Sequence, residues 1–227
     1  MISTATFWSK YFQIAGDKIL ELIFPAEFST SDFDNYVVND RTRDYQKDCP
    51  FLDKVLVLVD YSKVETPIFN FKYKHQSYLS SVFGKSMAKH LKSFESYSKN
   101  ETPNVITFCP ADPIRYKVRG YNPAELITRQ LGHELNLTTL DIFVKIKSSQ
   151  SQTQLSREER MTDKSELFKI KLDYQNHRIL NSCSKIIIFD DVITTGSTLN
   201  ALASVLKANY PKLQVWALAF AGNPKPK

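Results

Sequence analysis

Cysteine is scarce. The 227 residues hold 3 cysteines, and Cys49, Cys109 and Cys183 stand apart with no CxxC and no paired spacing. That pattern excludes a disulfide scaffold and a cysteine-rich zinc module, and it fits a reducing cytoplasm. No GxxxxGK(S/T) stretch occurs, and no GxGxxG, so neither a Walker loop nor the usual dinucleotide fingerprint is present. No apolar run approaches the ~18 clean residues of a membrane span. The opening MISTATFWSKYFQIAGDKILELIF is broken by Lys10, Asp17, Lys18 and Glu21, and it lacks a signal peptide's basic start and small-residue cleavage site. The expectation is a cytoplasmic protein without membrane insertion. Internal repeats are absent too, and the only compositional bias is a Ser/Gln run at 148–154.

What remains is ordinary globular composition, 42% hydrophobic and 24% charged, which excludes wholesale disorder. The length suits one α/β domain with an appendage, or two small domains, and a core that needs no staple. Charge is unevenly spread. Residues 1–59 carry 6 basic and 9 acidic side chains, net −3, whereas the rest of the chain is net +9. The basic part suits phosphate or nucleic acid, although solvated lysine faces produce the same excess.

Phe7, Tyr11, Phe12, Ala15, Ile19, Leu22 and Ile23 recur at helical spacing, an amphipathic helix expected to dock on the chain's own core. Residues 26–53 are polar and acidic and read as a linker or small lobe. Beyond them short apolar, β-branched runs alternate with helical patterns: strands at Val55–Tyr61, Val105–Cys109, Leu140–Ile146, Lys185–Asp191 and Gln214–Phe220, and helices at 77–94, 124–135 and 197–209. Asn122 and Pro123 suit the N-cap and first position of the second of these helices. Such alternation implies a parallel sheet with right-handed crossovers. FNFKYK (Phe69–Lys74) reads as an amphipathic or edge strand. Its alternative is a stacking platform for single-stranded DNA, in which Phe69, Phe71, Tyr73, His75 and Tyr78 interleave with Lys72 and Lys74.

Ile186–Leu202, IIIFDDVITTGSTLNAL, carries the chemistry. A buried strand ends in Asp190 and Asp191. After Val192 and Ile193, the loop Thr194, Thr195, Gly196, Ser197, Thr198 opens directly into a helix. Ligands of open α/β sheets sit at the carboxyl ends of strands. Clustered hydroxyls, a glycine and a helix N-terminus suit a phosphate. The carboxylates would repel that anion, so they need a different partner. Accepting from paired sugar hydroxyls, with a divalent cation nearby, fits their chemistry. One element thus offers a phosphate cradle beside a diol acceptor. A capped helix with nothing bound would account for an Asp pair alone, but not for the whole string. Ser197 has no histidine near it in the sequence, which argues against a nucleophilic serine. Three cations, Arg115, Lys117 and Arg119, follow the strand at 105–109 within five residues, and their forks and point charge suit a diphosphate.

Ile186–Thr198 resembles the phosphoribosyl pyrophosphate (PRPP) signature of type I phosphoribosyltransferases. Three further segments resemble the ComF family more narrowly: Arg119–Leu126 (RGYNPAEL), Gln152 with Leu155–Arg160 (LSREER), and Leu20–Pro25 (LELIFP). The resemblance implies a type I phosphoribosyltransferase-like parallel sheet flanked by helices. It places a small degenerate N-terminal lobe at 1–54 and the main domain at 55–227. It also implies PRPP as ligand with Mg²⁺, possible transferase activity, and a role in DNA uptake during natural transformation, with single-stranded DNA and a competence helicase as candidate partners. On that likeness Asp190, Asp191, Val192 and Thr194–Thr198 hold PRPP, and no protein side chain ligates the metal directly. Asp112, Arg115, Lys117 and Arg119 form the pyrophosphate loop. Asp190, Asp191 and Arg119 are the catalytic candidates, while Gln152, Ser156, Arg157 and Arg160 sit on a closing lid. Alternatives are a non-catalytic PRPP sensor or DNA-binding module, and a nucleobase-salvage enzyme.

The chain departs from the family pattern in three places. Many relatives follow the LFP with four zinc-binding cysteines. Here Glu27 and Phe28 stand in that region and only Cys49 is kept, so no zinc is expected. Asp163 replaces a frequent asparagine, and of two prolines before the pyrophosphate loop only Pro110 is retained.

Overall fold

The computed structural model describes residues 28–94, 104–146, 164–171 and 173–223. The amphipathic opening helix, the LELIFP segment, the Ser/Gln run, Asp163 and the lid residues Gln152, Ser156, Arg157 and Arg160 lie outside them.

Strands β1 (Asn39–Asp40), β2 (Lys54–Asp60), β3 (Val105–Phe108), β4 (Thr138–Leu140), β7 (Lys185–Ile193) and β8 (Gln214–Gly222) form one sheet in the order β1-β2-β8-β7-β3-β4. All its pairings are parallel except β1 with β2. The near-continuous apolar runs of β2, β7 and β8 follow from this, because a parallel strand is covered on both faces. A separate antiparallel hairpin joins β5 (Phe143–Lys145) to β6 (Phe168–Ile170). The run Leu140–Ile146, expected as one strand, is thus divided. Leu140 closes β4 and the chain turns at Asp141 into β5.

The helices are α1 (Thr42–Tyr45), α2 (Glu65–Tyr73), α3 (Leu79–Ser93), α4 (Pro113–Arg119), α5 (Pro123–Leu135), α6 (Tyr174–Ser182) and α7 (Ser197–Asn209). FNFKYK is a correction to the strand reading, since Phe69–Tyr73 belong to α2 and Lys74 caps its C-terminus. Aromatics at 69, 71 and 73 fit a period of two, but Pro67 stands in the first turn of a helix, where its missing N–H costs nothing. Folded so, Phe69 and Tyr73 share an exposed face while Ile68 and Phe71 are buried. Helix α4 and helix α6 likewise lie beyond the helices that the sequence pattern predicts. Each starts at an aspartate cap: Asp112 accepts from the Ile114 N–H and Asp173 from the Asn176 N–H.

Helix α5 links β3 to β4 toward one sheet edge, and α7 links β7 to β8 toward the other. Right-handed crossovers running in opposite directions put these helices on opposite faces. Their contacts agree, α5 packing on α3 and α7 on β6. The connections diverge between β3 and β7, which creates the crevice where open α/β sheets bind ligands. The core continues beneath it. Phe83 meets Phe220 at 4.3 Å between ring centroids, and Phe33 packs edge-on to both. Residues 33–52 supply Phe33, Tyr45, Cys49 and Leu52 to this same core.

Candidate functional site

At that crevice β7 carries Asp190 and Asp191 and runs two residues further than the sequence pattern predicts, to Ile193, because Val192 and Ile193 still pair with β8; the loop after it turns at Gly196 into α7. Gly196 has φ +79°, a left-handed conformation glycine adopts without strain. A pocket of about 40 Å³ is lined by Asp190 and by Val192 through Leu199. Thr195 Oγ1 accepts from the Ser197 N–H and lies 3.0 Å from Ser197 Oγ, which tightens the turn. The first-turn N–H groups of α7 have no intrahelical acceptors and carry the positive end of the helix dipole. This pocket suits one tetrahedral anion.

A larger cavity of about 230 Å³ adjoins it, and Asp190 and Thr198 line both. Four cations, Lys72, Arg115, Arg119 and Lys145, share its walls with Asp112, Asp190 and Asp191. Two of the pairings are close. Lys72 Nζ is 2.9 Å from Asp191 Oδ2 with both side chains largely covered, and Lys145 Nζ is 2.9 Å from Asp112 Oδ2. Arg119 lies over the ring of Tyr73 at 4.7 Å. Lys117, grouped with these cations by sequence, is not among the lining residues. Neither pairing of the lysines was visible in the sequence. Lys72 was read into a DNA platform and comes from α2; Lys145 comes from the hairpin.

Electrostatics at the strand end are unbalanced. Burial first, and the charge of Asp191 second, push the Asp190 carboxyl up to about 7, against the opposing pull of Lys72, the Asp191 N–H and the Cys109 thiol. Burial beside these carboxylates also drives the Cys109 thiol well upward, so it stays a protonated donor to Asp190. Two adjacent carboxyls that burial and mutual repulsion disfavour as a doubly charged pair suit hydroxyl donors or a cation. Among the described residues no three His, Cys, Asp or Glu side chains converge as a metal cage. Mg²⁺ carried on phosphate oxygens and water needs only one or two carboxylates, and an acidic pair of this kind fits that ion.

The segment RGYNP proves mostly architectural. Gly120 ends α4 with φ +79°. The Tyr121 hydroxyl donates to the Phe71 carbonyl. Asn122 Oδ1 accepts from the Ala124 N–H at 3.2 Å while its Nδ2 donates to the Cys109 carbonyl at 2.9 Å. One asparagine thus caps α5 and ties it to the end of β3, fixing the mouth of the cavity. Behind the phosphate loop, Tyr45 donates to the Thr194 carbonyl and Cys49 to the Thr195 carbonyl, at 3.1 and 3.5 Å. The sequence marked Cys49 only as a leftover cysteine.

Residues 117–226 match the family described as "Phosphoribosyl transferase domain". The chain is 28% identical over 175 residues to "Competence protein F" of Haemophilus influenzae, covering 76% of this chain and 75% of that protein. It is 24% identical over 176 residues to "DNA utilization protein YhgH" of Escherichia coli, with 76% and 74% covered. "Competence protein ComFC" of Streptococcus pneumoniae matches at 26% over 137 residues, 60% of this chain and 54% of that one.

Proposed function

We propose that this chain, which belongs to the ComF family of competence-related phosphoribosyltransferase-like proteins, binds PRPP together with Mg²⁺. One observation carries the reading. An anion pocket, an acidic pair and a cation-lined cavity follow one another along the crevice, joined through Asp190 and Thr198. PRPP presents the same order: a 5-phosphate, a ribose diol and a diphosphate. In this reading Thr194–Thr198 hold the 5-phosphate, Asp190 and Asp191 accept from the ribose hydroxyls, and Arg115 and Arg119 take the diphosphate. Bound Mg²⁺ supplies charge neutralisation on the diphosphate. Lys72 pairs with Asp191, so sugar binding at this carboxylate would exchange an ammonium for hydroxyl donors. The released ammonium remains within the cavity that would receive the diphosphate.

If transfer occurs, a nitrogen nucleophile displaces pyrophosphate from ribose C1, and the chain contributes positioning and charge stabilisation. The relatives' names, which speak of competence and DNA utilization, support a role connected with DNA use.

A second reading, a surface for single-stranded DNA, draws on a particular feature. Phe69 and Tyr73 are each about half exposed with centroids 5.2 Å apart, and Arg119 stacks on Tyr73. Stacked aromatics beside an arginine accept bases of any sequence. Phe71 takes no part, being buried, and Lys72 turns to Asp191.

Calorimetric titration with PRPP, with and without Mg²⁺, separates these. Wild type should bind PRPP with Mg²⁺, and the Asp190→Asn/Asp191→Asn double variant should not. Retained affinity in the variant would sink the assignment of the acidic pair. Single-stranded DNA affinity that falls in Phe69→Ala/Tyr73→Ala while PRPP affinity holds would support the second surface.

A further inference from the structure

We infer that the segment from Tyr45 to Phe51 is the positioning element of the phosphate loop, and that Tyr45 and Cys49 aim its backbone donors. The inference rests on the phosphate reading above and adds residues 146 and 149 positions away from the loop. Tyr45 and Cys49 are each 1% exposed, so neither can touch a ligand directly. Both lie behind the loop. The Tyr45 hydroxyl donates to the Thr194 carbonyl at 3.1 Å, and the Cys49 thiol donates to the Thr195 carbonyl at 3.5 Å. A third tie follows on α7, where Asn200 Oδ1 accepts from the Phe51 N–H at 3.0 Å.

The consequence comes from peptide geometry. In a trans peptide the C=O and the N–H of the same plane point in opposite directions. Drawing the Thr194 carbonyl back toward Tyr45 turns the Thr195 N–H the other way, to the pocket side of the loop. Drawing the Thr195 carbonyl toward Cys49 does the same for the Gly196 N–H. Successive N–H groups facing one concavity make an anion nest, and here two buried side chains set the two planes. Gly196 completes the arrangement. A Cβ there would lie 2.7 Å from Cys49 Sγ and 3.0 Å from Tyr45 Cδ1, so the loop backbone is seated directly on these side chains. The acidic N-terminal segment thereby has a function: it forms the rear wall of the phosphate pocket.

The test uses the full chain and two probes, ribose 5-phosphate for the phosphate pocket and inorganic pyrophosphate for the cation-lined cavity. Tyr45→Phe removes one hydrogen bond and little volume. It should weaken ribose 5-phosphate about fivefold, the equivalent of one ordinary hydrogen bond, and leave pyrophosphate unchanged. Cys49→Ala should act in the same direction, and Cys49→Ser, which keeps a donor, should recover most of the loss. Thermal unfolding of each variant reports general damage. Equal weakening of both probes, or unaltered ribose 5-phosphate affinity in Tyr45→Phe and Cys49→Ala, overturns the inference. Wild-type protein that binds pyrophosphate but not ribose 5-phosphate overturns the phosphate reading itself, and the positioning role with it.

Discussion

Asp190→Asn should stabilise the ligand-free protein while removing its capacity for ligand. The carboxyl lies near the C-terminal end of β7 beneath the crevice, and burial together with Asp191 raises it from 3.8 to about 7. Between those values the folded state binds a proton that the unfolded chain releases. The stability associated with this group is therefore full below about pH 4 and is lost as pH rises through about 7. Asparagine mimics the protonated carboxyl at every pH, and its Oδ1 can still accept from the Asp191 N–H, which Asp190 Oδ1 now does at 2.9 Å. A shift of roughly three units at 1.36 kcal/mol per unit sets a ceiling of about 4 kcal/mol. Water in the adjoining cavity and relaxation of Asp191 reduce this, so the expected gain at pH 8 is about 2 kcal/mol, or roughly 4–8 °C in Tm for a chain of this size. Urea unfolding followed by circular dichroism at pH 8, 6 and 4 measures it. The gain should shrink below pH 7 and vanish near pH 4. A variant no more stable than wild type at pH 8, or a gain independent of pH, refutes the reasoning.

Three other outcomes follow from the structure. Lys72→Met strips Asp191 of a largely covered partner and should cost about 2–3 kcal/mol in urea unfolding at pH 8. Adding Asp191→Asn should return most of it, because the penalty is that of an uncompensated charge; a double variant as unstable as Lys72→Met would disprove this. Removal of Lys72 should also move the Asp190 titration above 7, since the ammonium opposes that rise, and the pH dependence of stability reads it directly. In the native protein Cys49 and Cys109 are buried and Cys183 is only partly covered. A thiol reagent near pH 7 should therefore modify Cys183 alone, and slowly, because burial raises its thiol. Rapid reaction of a second cysteine without unfolding would contradict the packing of Cys49 and Cys109.

The phosphate loop was legible because it is contiguous. Strand, acidic pair, hydroxyl-rich turn and helix occupy a single stretch, and each residue type states its local role. Helix α7 and the strands β7 and β8 were legible for a similar reason, since parallel burial leaves unbroken apolar runs. Asn122 was readable as a cap, although its second bond, to the Cys109 carbonyl, needed the fold. Where local patterns admit two periods the reading failed. Phe69, Phe71 and Tyr73 alternate like a strand, but Pro67 and the burial of Ile68 place them on a helix. The division of Leu140–Ile146 had no clear mark, since Asp141, where it falls, is as isolated among apolar neighbours as Lys145. Lys72 meets Asp191 across 119 positions of sequence, and no spacing rule spans such a gap.

The distribution of charge can now be explained residue by residue. A net positive chain suits phosphate, yet among the described residues only four lysines and arginines line the larger cavity, and Lys117 is not one of them. What distinguishes the site is opposition. Lys72 and Lys145 are paired with carboxylates inside the same cavity that Arg115 and Arg119 line. A cavity holding only cations would bind any polyanion through charge, with affinity falling steeply in salt. In the proposed reading, alternating carboxylates would reject simple anions near the sugar position and admit a ligand that places hydroxyls there and phosphates on either side. Selectivity for a phosphorylated sugar over free pyrophosphate or nucleic acid backbone should therefore increase with ionic strength, as unspecific attraction is screened and the short-range pattern of donors and acceptors persists. Affinity for ribose 5-phosphate that collapses with salt as steeply as that for pyrophosphate would show that charge alone governs the crevice.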